Sequence, residues 1–271
     1  MSRDSESQIS VLLNKAIGLH VAGRLDQAQP IYQQILETDP NHPIALNQLG
    51  AIALQSGNFS YAVELITLAT NHKPDYAEAY NNLASALLEL GQTEKALSNY
   101  HKAIDIKHDY INAHNNLADA LISQGQPEQA VKYYKKALAI NNDYFKGHNN
   151  LGNALMTLGQ PNLAVASYHK AISIRPDYFE AHSNLGNAMA ELDMPDKAIA
   201  CYRLALGIRP NSAETAINLG TVLVKTGKNE EAAVCFQKVL TLQSDHSEAL
   251  FSMGIVLNNE DRLEESLDYY S

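Results

Sequence analysis

The strongest constraint on what this chain can fold into is a fixed period. From Ala77 to Asp109 it reads AEAYNNLASALLELGQTEKALSNYHKAIDIKHD. Thirty-four residues further on it reads INAHNNLADALISQGQPEQAVKYYKKALAINND, and after the same step FKGHNNLGNALMTLGQPNLAVASYHKAISIRPD. Self-similarity at about 34 residues marks a helical repeat array, in which each unit buries its apolar face against its neighbours. The 271 residues therefore need no boundary between globular domains.

With position one at Ile9, the seventh position holds Leu49, Leu83, Leu117, Leu151, Leu185, Leu219 and Met253, and the eighth only Gly or Ala. The twentieth holds Ala28, Ala62, Ala96, Ala130, Ala164, Ala198 and Ala232. This phase divides the chain into a mobile leader over 1–8, seven units (9–42, 43–76, 77–110, 111–144, 145–178, 179–212 and 213–246) and an incomplete eighth over 247–271. In each first helix the fourth, seventh, eighth and eleventh positions, such as His148, Leu151, Gly152 and Leu155, form the i, i+3, i+4, i+7 stripe of a core-facing helix.

Both turns have local signatures. Gly23, Gly57, Gly91, Gly125, Gly159 and Gly227 stand between paired helices, where a left-handed residue ends the first helix. Asp193 and Asp261 replace glycine there and are expected to adopt the same conformation. Pro127, Pro161 and Pro195 suit the first residue of the second helix, where no N–H is needed. The thirty-third position holds Asn41, Asp75, Asp109, Asp143, Asp177, Asn211 and Asp245, read as N-caps. Glu78, Glu180, Glu214 and Glu248 three residues later read as capping-box partners.

An aromatic-x-x-Leu-Gly/Ala first helix, a second helix carrying Ala, Tyr and Ala, and a closing Pro resemble the tetratricopeptide repeat (TPR) pattern. The resemblance covers nearly the whole chain and implies an all-α, right-handed superhelical solenoid of paired antiparallel helices. It also implies that the side of the first helix opposite the apolar stripe lines a concave groove.

On that side the sixth position reads Gln48, Asn82, Asn116, Asn150, Asn184, Asn218 and Ser252. Asn81, Asn115 and Asn149 precede it, and Asn153 and Asn187 follow at the ninth position. Asn costs roughly half a kcal/mol of helix propensity, so an interior run of it asks for a reason. A carboxamide offers both donor and acceptor and can hold a peptide main chain without reading its side chains. Equivalent helices lie roughly 10 Å apart, so one Asn meets about every third residue of an extended peptide. The other reading is a harmless polar residue copied by duplication onto a solvated face. On an open face, Asn150→Ala should change stability by no more than about 0.5 kcal/mol.

The Asn ladder further resembles the repeat region of O-GlcNAc transferases and related bacterial repeat proteins, where it lines a groove for protein substrates. No residue matches their catalytic domain. The function expected is an interaction scaffold that binds a protein or peptide segment, and the alternative is the non-catalytic, substrate-recruiting arm of a larger glycosyltransferase of that kind. No catalytic residue, cofactor or metal is expected. His114, His148 and His182 lie one repeat apart, about 10 Å, too far to share a zinc with ligands near 2 Å. They read as packing residues, as do Tyr100, Tyr134, Tyr168 and Tyr202. Cys201 and Cys235 are expected to be unpaired thiols.

Thirty acidic against twenty basic residues give a net charge of −10, which disfavours nucleic acid as a partner. With no long apolar run, membrane insertion is not expected and the location expected is cytoplasmic. At the other end, Leu263, Leu267 and Tyr270 form an unpartnered stripe on the last helix, a candidate surface for self-association.

Overall fold

Residues 3–269 are described by the structure, a computed structural model. Sixteen helices, and no strand, occur among the described residues. They fall into two compact units, Met1–Gln126 and Pro127–Ser271.

The first unit contains α1 (Arg3–Val21), α2 (Leu25–Thr38), α3 (Pro43–Gln55), α4 (Phe59–His72), α5 (Ala77–Glu89), α6 (Thr93–Ile106) and α7 (Ile111–Ser123). Helices pair as α1 with α2, α3 with α4 and α5 with α6, and each even helix also packs on the next odd one. Odd helices touch in turn, α3 on α5 and α5 on α7. The second unit contains α8 (Pro127–Ile140), α9 (Phe145–Thr157), α10 (Pro161–Ile174), α11 (Phe179–Glu191), α12 (Pro195–Ile208), α13 (Ala213–Lys225), α14 (Asn229–Leu242), α15 (Ser247–Asn259) and α16 (Leu263–Asp268). It repeats the arrangement, with α9, α11, α13 and α15 in contact in sequence. Each unit is thus a layered stack of helical hairpins.

The turn chemistry explains the hairpins. Gly23, Gly57, Gly91, Gly125, Gly159 and Gly227 all have positive φ, between 65° at Gly159 and 76° at Gly57. Asp193 and Asp261 take the same region at 55° and 60°, as their position in the period requires. Pro127, Pro161 and Pro195 open α8, α10 and α12. The repeat caps differ from expectation. The residue before each odd helix is at the thirty-fourth position, not the thirty-third: His42, Tyr76, Tyr110, Tyr144, Tyr178, Ser212 and His246. Ser212 Oγ accepts from Thr215 N at 3.4 Å, and His42 Nδ1 from Ala45 N at 3.3 Å, whereas the tyrosine caps offer no side-chain acceptor. Asn and Asp stand one residue earlier in the turn, and the capping box is lost with them. Two of its glutamates instead form exposed ion pairs with the following turn, Glu78 with Lys107 at 3.5 Å and Glu180 with Arg209 at 2.8 Å.

Helix α1 begins at Arg3, because residues 3–8 contain no proline or glycine to delay it, and Met1 and Ser2 lie outside the described residues. Tyr270 lies outside them as well.

Close packing follows from small residues. All seven alanines at the twentieth position have no exposed surface. The eighth position decides how near the paired helix comes: a Cβ on Gly152 or Gly186 would stand 2.5 Å from the ring of Tyr168 or Tyr202. That seat leaves each tyrosine 1–2 % exposed, with its hydroxyl carried through the hairpin toward the odd helix.

Candidate functional site

The expected Asn residues lie on the odd helices, but in two layers. Asn82, Asn116, Asn150, Asn184, Asn218 and Asn187 are half-buried, and Asn153 is exposed. Asn81, Asn115 and Asn149 are only 6 %, 5 % and 4 % exposed. At Asn81 and Asn149 the carboxamide oxygen is taken by the next odd helix, through Asn116 and Asn184.

In the first unit the amides form a directional relay. Asn116 Nδ2 donates to Asn81 Oδ1 at 3.0 Å, and Asn81 Nδ2 donates to Asn82 Oδ1 at 3.4 Å. Asn82 Nδ2 continues to Asn47 Oδ1 at 3.1 Å, and Asn47 Nδ2 ends the run on Tyr76 Oη at 3.2 Å. Asn115 Nδ2 donates to Asp119 Oδ2 at 2.8 Å within its own helix. In the second unit Asn184 Nδ2 donates both to Asn149 Oδ1 at 3.0 Å and to Asn153 Oδ1 at 2.9 Å. Asn218 Nδ2 donates to Asn187 Oδ1 at 3.1 Å. Asn150 accepts from Asn149 Nδ2 at 3.5 Å and is half-buried.

The ninth position is held from behind. Tyr168 Oη donates to Asn153 Oδ1 at 2.8 Å and Tyr202 Oη to Asn187 Oδ1 at 2.7 Å; in the first unit Tyr100 Oη bonds Ser85 Oγ at 2.9 Å. Burial raises the pKa of all three phenols above its ordinary value, which keeps them protonated. The sequence carries a signal for this link that residue-by-residue reading misses. With Tyr100, Tyr134, Tyr168 and Tyr202 at the twenty-fourth position the ninth is polar, as Ser85, Asp119, Asn153 and Asn187; the signal is partial, since Tyr32 goes with Ile17 and Phe236 with Thr221.

An open cavity of about 360 Å³ lies beside Asn187, lined also by Tyr202, Asn218, Thr221 and the exposed Glu191 and Lys225. It brings neutral amides and both signs of charge together, with no cluster of three or more metal-ligating side chains among the described residues.

The histidines have a structural role. Nε2 of His114, His148 and His182 reaches the carbonyl of His108, Asn142 and Pro176 at 2.9, 2.9 and 2.8 Å. A carbonyl only accepts, so each ring carries its proton on Nε2 and ties an odd helix to the turn before it. Burial lowers the His148 pKa. Cys201 and Cys235 are half-buried free thiols whose pKa burial raises, so neither is primed as a nucleophile.

Family models described as tetratricopeptide repeat or TPR repeat match residues 20–87, 75–143, 152–193, 179–212 and 217–271. The chain belongs to the tetratricopeptide repeat family. Comparison with curated proteins by sequence gives no match to this TPR chain. Among solved structures it is similar to YrrB, described as a TPR protein with an unusual peptide-binding site. The identity is 25 %, with 69 % of this chain and 97 % of that chain covered and a TM-score of 0.57. It shares its fold with Pseudomonas aeruginosa pilF at 22 % identity, 71 % and 88 % coverage and a TM-score of 0.64. It shares it also with a chain of the APC/C hetero-tetramer Cut9–Hcn1, at 18 % identity and a TM-score of 0.74, covering 89 % of this chain and 48 % of that chain. The TPR chain thus spans about half the length of that last relative. No described helix is long and apolar enough to cross a membrane.

Proposed function

We propose that this TPR chain is a protein-interaction scaffold that binds an extended peptide segment along the carboxamide face of its odd helices. The observation that carries the reading is that the ladder residues keep hydrogen-bonding capacity after the fold has used its share. Asn184 spends both N–H groups on Asn149 and Asn153, and among the described residues its Oδ1 has no partner. Asn218 spends one N–H and keeps its oxygen. Asn82 and Asn116 offer the same face in the first unit, each donating to the odd helix before it. The likeness to YrrB, itself described as having a peptide-binding site, supports the class of ligand.

The test is to select binders from a random 12-residue peptide library on the full chain and to map each by the side-chain amide NMR signals of the chain. Shifts of the Asn82, Asn116, Asn150, Asn184 and Asn218 signals are expected. Binders that map to the even helices would remove the reading. The alternative, that the same face recruits substrates for a larger glycosyltransferase, is separated by the mass of the native polypeptide, which must then greatly exceed 29.7 kDa. A second contact surface rests on α16, where Leu263 and Leu267 are 60 % and 67 % exposed. Its expected role is self-association, seen as a concentration-dependent mass that Leu263→Ser with Leu267→Ser abolishes.

A further inference from the structure

The amides of Asn153 and Asn187 have a fixed polarity. Tyr168 and Tyr202 are 1 % and 2 % exposed, and each hydroxyl has one partner among the described residues, Asn153 or Asn187. A buried O–H left without an acceptor is costly, so the atom it meets must be the amide oxygen and not the amide nitrogen. The donors from the next odd helix agree, since Asn184 Nδ2 and Asn218 Nδ2 reach the same two oxygens. Each oxygen then accepts two bonds, one for each lone pair. Among the described residues each NH2 group is left with both hydrogens free. Asn184 is turned the other way, with its donors used and its oxygen free.

The spacing selects the shape of chain that such donors can read. Packed helices stand about 8–10 Å apart. Two residues of a β-strand advance about 6.6 Å and three about 10 Å, but carbonyls three residues apart in a strand point to opposite sides. In polyproline II the rise is about 3.1 Å and three residues complete a turn, so carbonyls i and i+3 point the same way about 9.3 Å apart. That conformation makes no internal hydrogen bonds, and every carbonyl is available.

We propose that Asn153 and Asn187 donate their Nδ2 hydrogens to carbonyls i and i+3 of a segment in the polyproline II conformation, and that the preferred partner is therefore proline-rich. The proposal rests on the carboxamide-face reading above and names the partner it takes. Proline removes main-chain N–H groups but no carbonyl, so a surface led by donors tolerates it where a strand-pairing edge would not. The cavity of about 360 Å³ beside Asn187 gives the segment room to approach.

Polarity also supplies the test. Asp in place of Asn at 153 or 187 is isosteric, still accepts from the tyrosine and from the next Asn, and turns the outward group from donor to acceptor. Peptides selected on the full wild-type chain from a random 12-residue library are titrated against Asn153→Asp and Asn187→Asp. Expected are enrichment of proline at i and i+3 spacing, affinity weaker by about tenfold per substitution, and an unchanged melting temperature. The loss persists at roughly 0.5 M salt, where repulsion between charges is screened but a missing donor is still missing. Peptides that shift the odd-helix amide signals yet bind both variants within about twofold overturn the donor assignment and leave the carboxamide face standing. Donor-dependent peptides without proline enrichment overturn the polyproline II geometry, and peptides that map off the odd helices overturn the face itself.

Discussion

Asn184→Ala separates a strut from a bystander. The side chain donates to Asn149 Oδ1 at 3.0 Å and Asn153 Oδ1 at 2.9 Å. The two acceptors do not suffer equally. Asn153 keeps the Tyr168 hydroxyl, whereas Asn149 is 4 % exposed and loses the one donor its oxygen has. An orphaned buried acceptor costs about 1–3 kcal/mol and an ordinary net hydrogen bond about 0.5–1.5, so a loss of about 2–3 kcal/mol is expected. Asn218→Ala should cost only about 0.5–1.5 kcal/mol, because Asn187 Oδ1 retains Tyr202. Adding Asn149→Ala to Asn184→Ala removes the orphan, so the double variant should be more stable than the sum of the singles predicts, by about 1 kcal/mol. Urea unfolding followed by circular dichroism measures all four corners, provided the m-value is unchanged. A loss below about 0.5 kcal/mol for Asn184→Ala, with an additive cycle, would refute the strut and return Asn184 to a solvated face.

Asp193→Gly should stabilise the chain by about 0.5–1 kcal/mol, since an L-residue pays to hold φ at 55° and glycine does not; the urea midpoint checks it. Gly186→Ala should cost about 1–3 kcal/mol, because its Cβ would meet the Tyr202 ring at 2.5 Å, and the shifted hydroxyl should show as an altered Asn187 amide signal. The His148 pKa is lowered from 6.5 chiefly by burial, with Lys170 adding to the fall and the Asn142 carbonyl and Asp143 opposing it. The unfolded chain then takes up the proton first, so stability is complete above about pH 6.5 and falls as the pH drops through that value. His148→Gln should flatten the slope of unfolding free energy between about pH 7.5 and 5.5.

Features governed by a residue and its immediate neighbours were legible in the sequence. Gly57, Asp193 and Pro161 each announce a backbone state that the structure adopts, because φ and the missing N–H are local properties. The N-caps were misplaced by one residue because Asp75 and Tyr76 are both compatible with a turn. Only the first helical hydrogen bonds, Ala79 N and Tyr80 N to Tyr76 O, choose between them. The burial of Asn81, Asn115 and Asn149 was not legible for a different reason. A helical wheel shows which side of one helix a residue occupies, and does not show that Asn116 reaches back to Asn81 or Asn184 to Asn149. The tyrosine anchors of the ninth position were hidden in a separation of fifteen residues, Asn153 to Tyr168 and Asn187 to Tyr202, which no single-helix period contains.

The directional relay of the first unit also bears on how such an array can change in length. Asn116 gives and Asn81 receives; Asn82 gives and Asn47 receives. These repeats therefore have a socket at the fifth position and a plug at the sixth, and copies of them stack in one order with the polarity preserved. A tandem duplication in phase joins socket to plug at the new seam and leaves no buried amide stranded. Where the fifth position is not Asn, as at Ser183, whose hydroxyl meets Thr215, the plug of the next repeat takes another seat, as Asn218 does on Asn187.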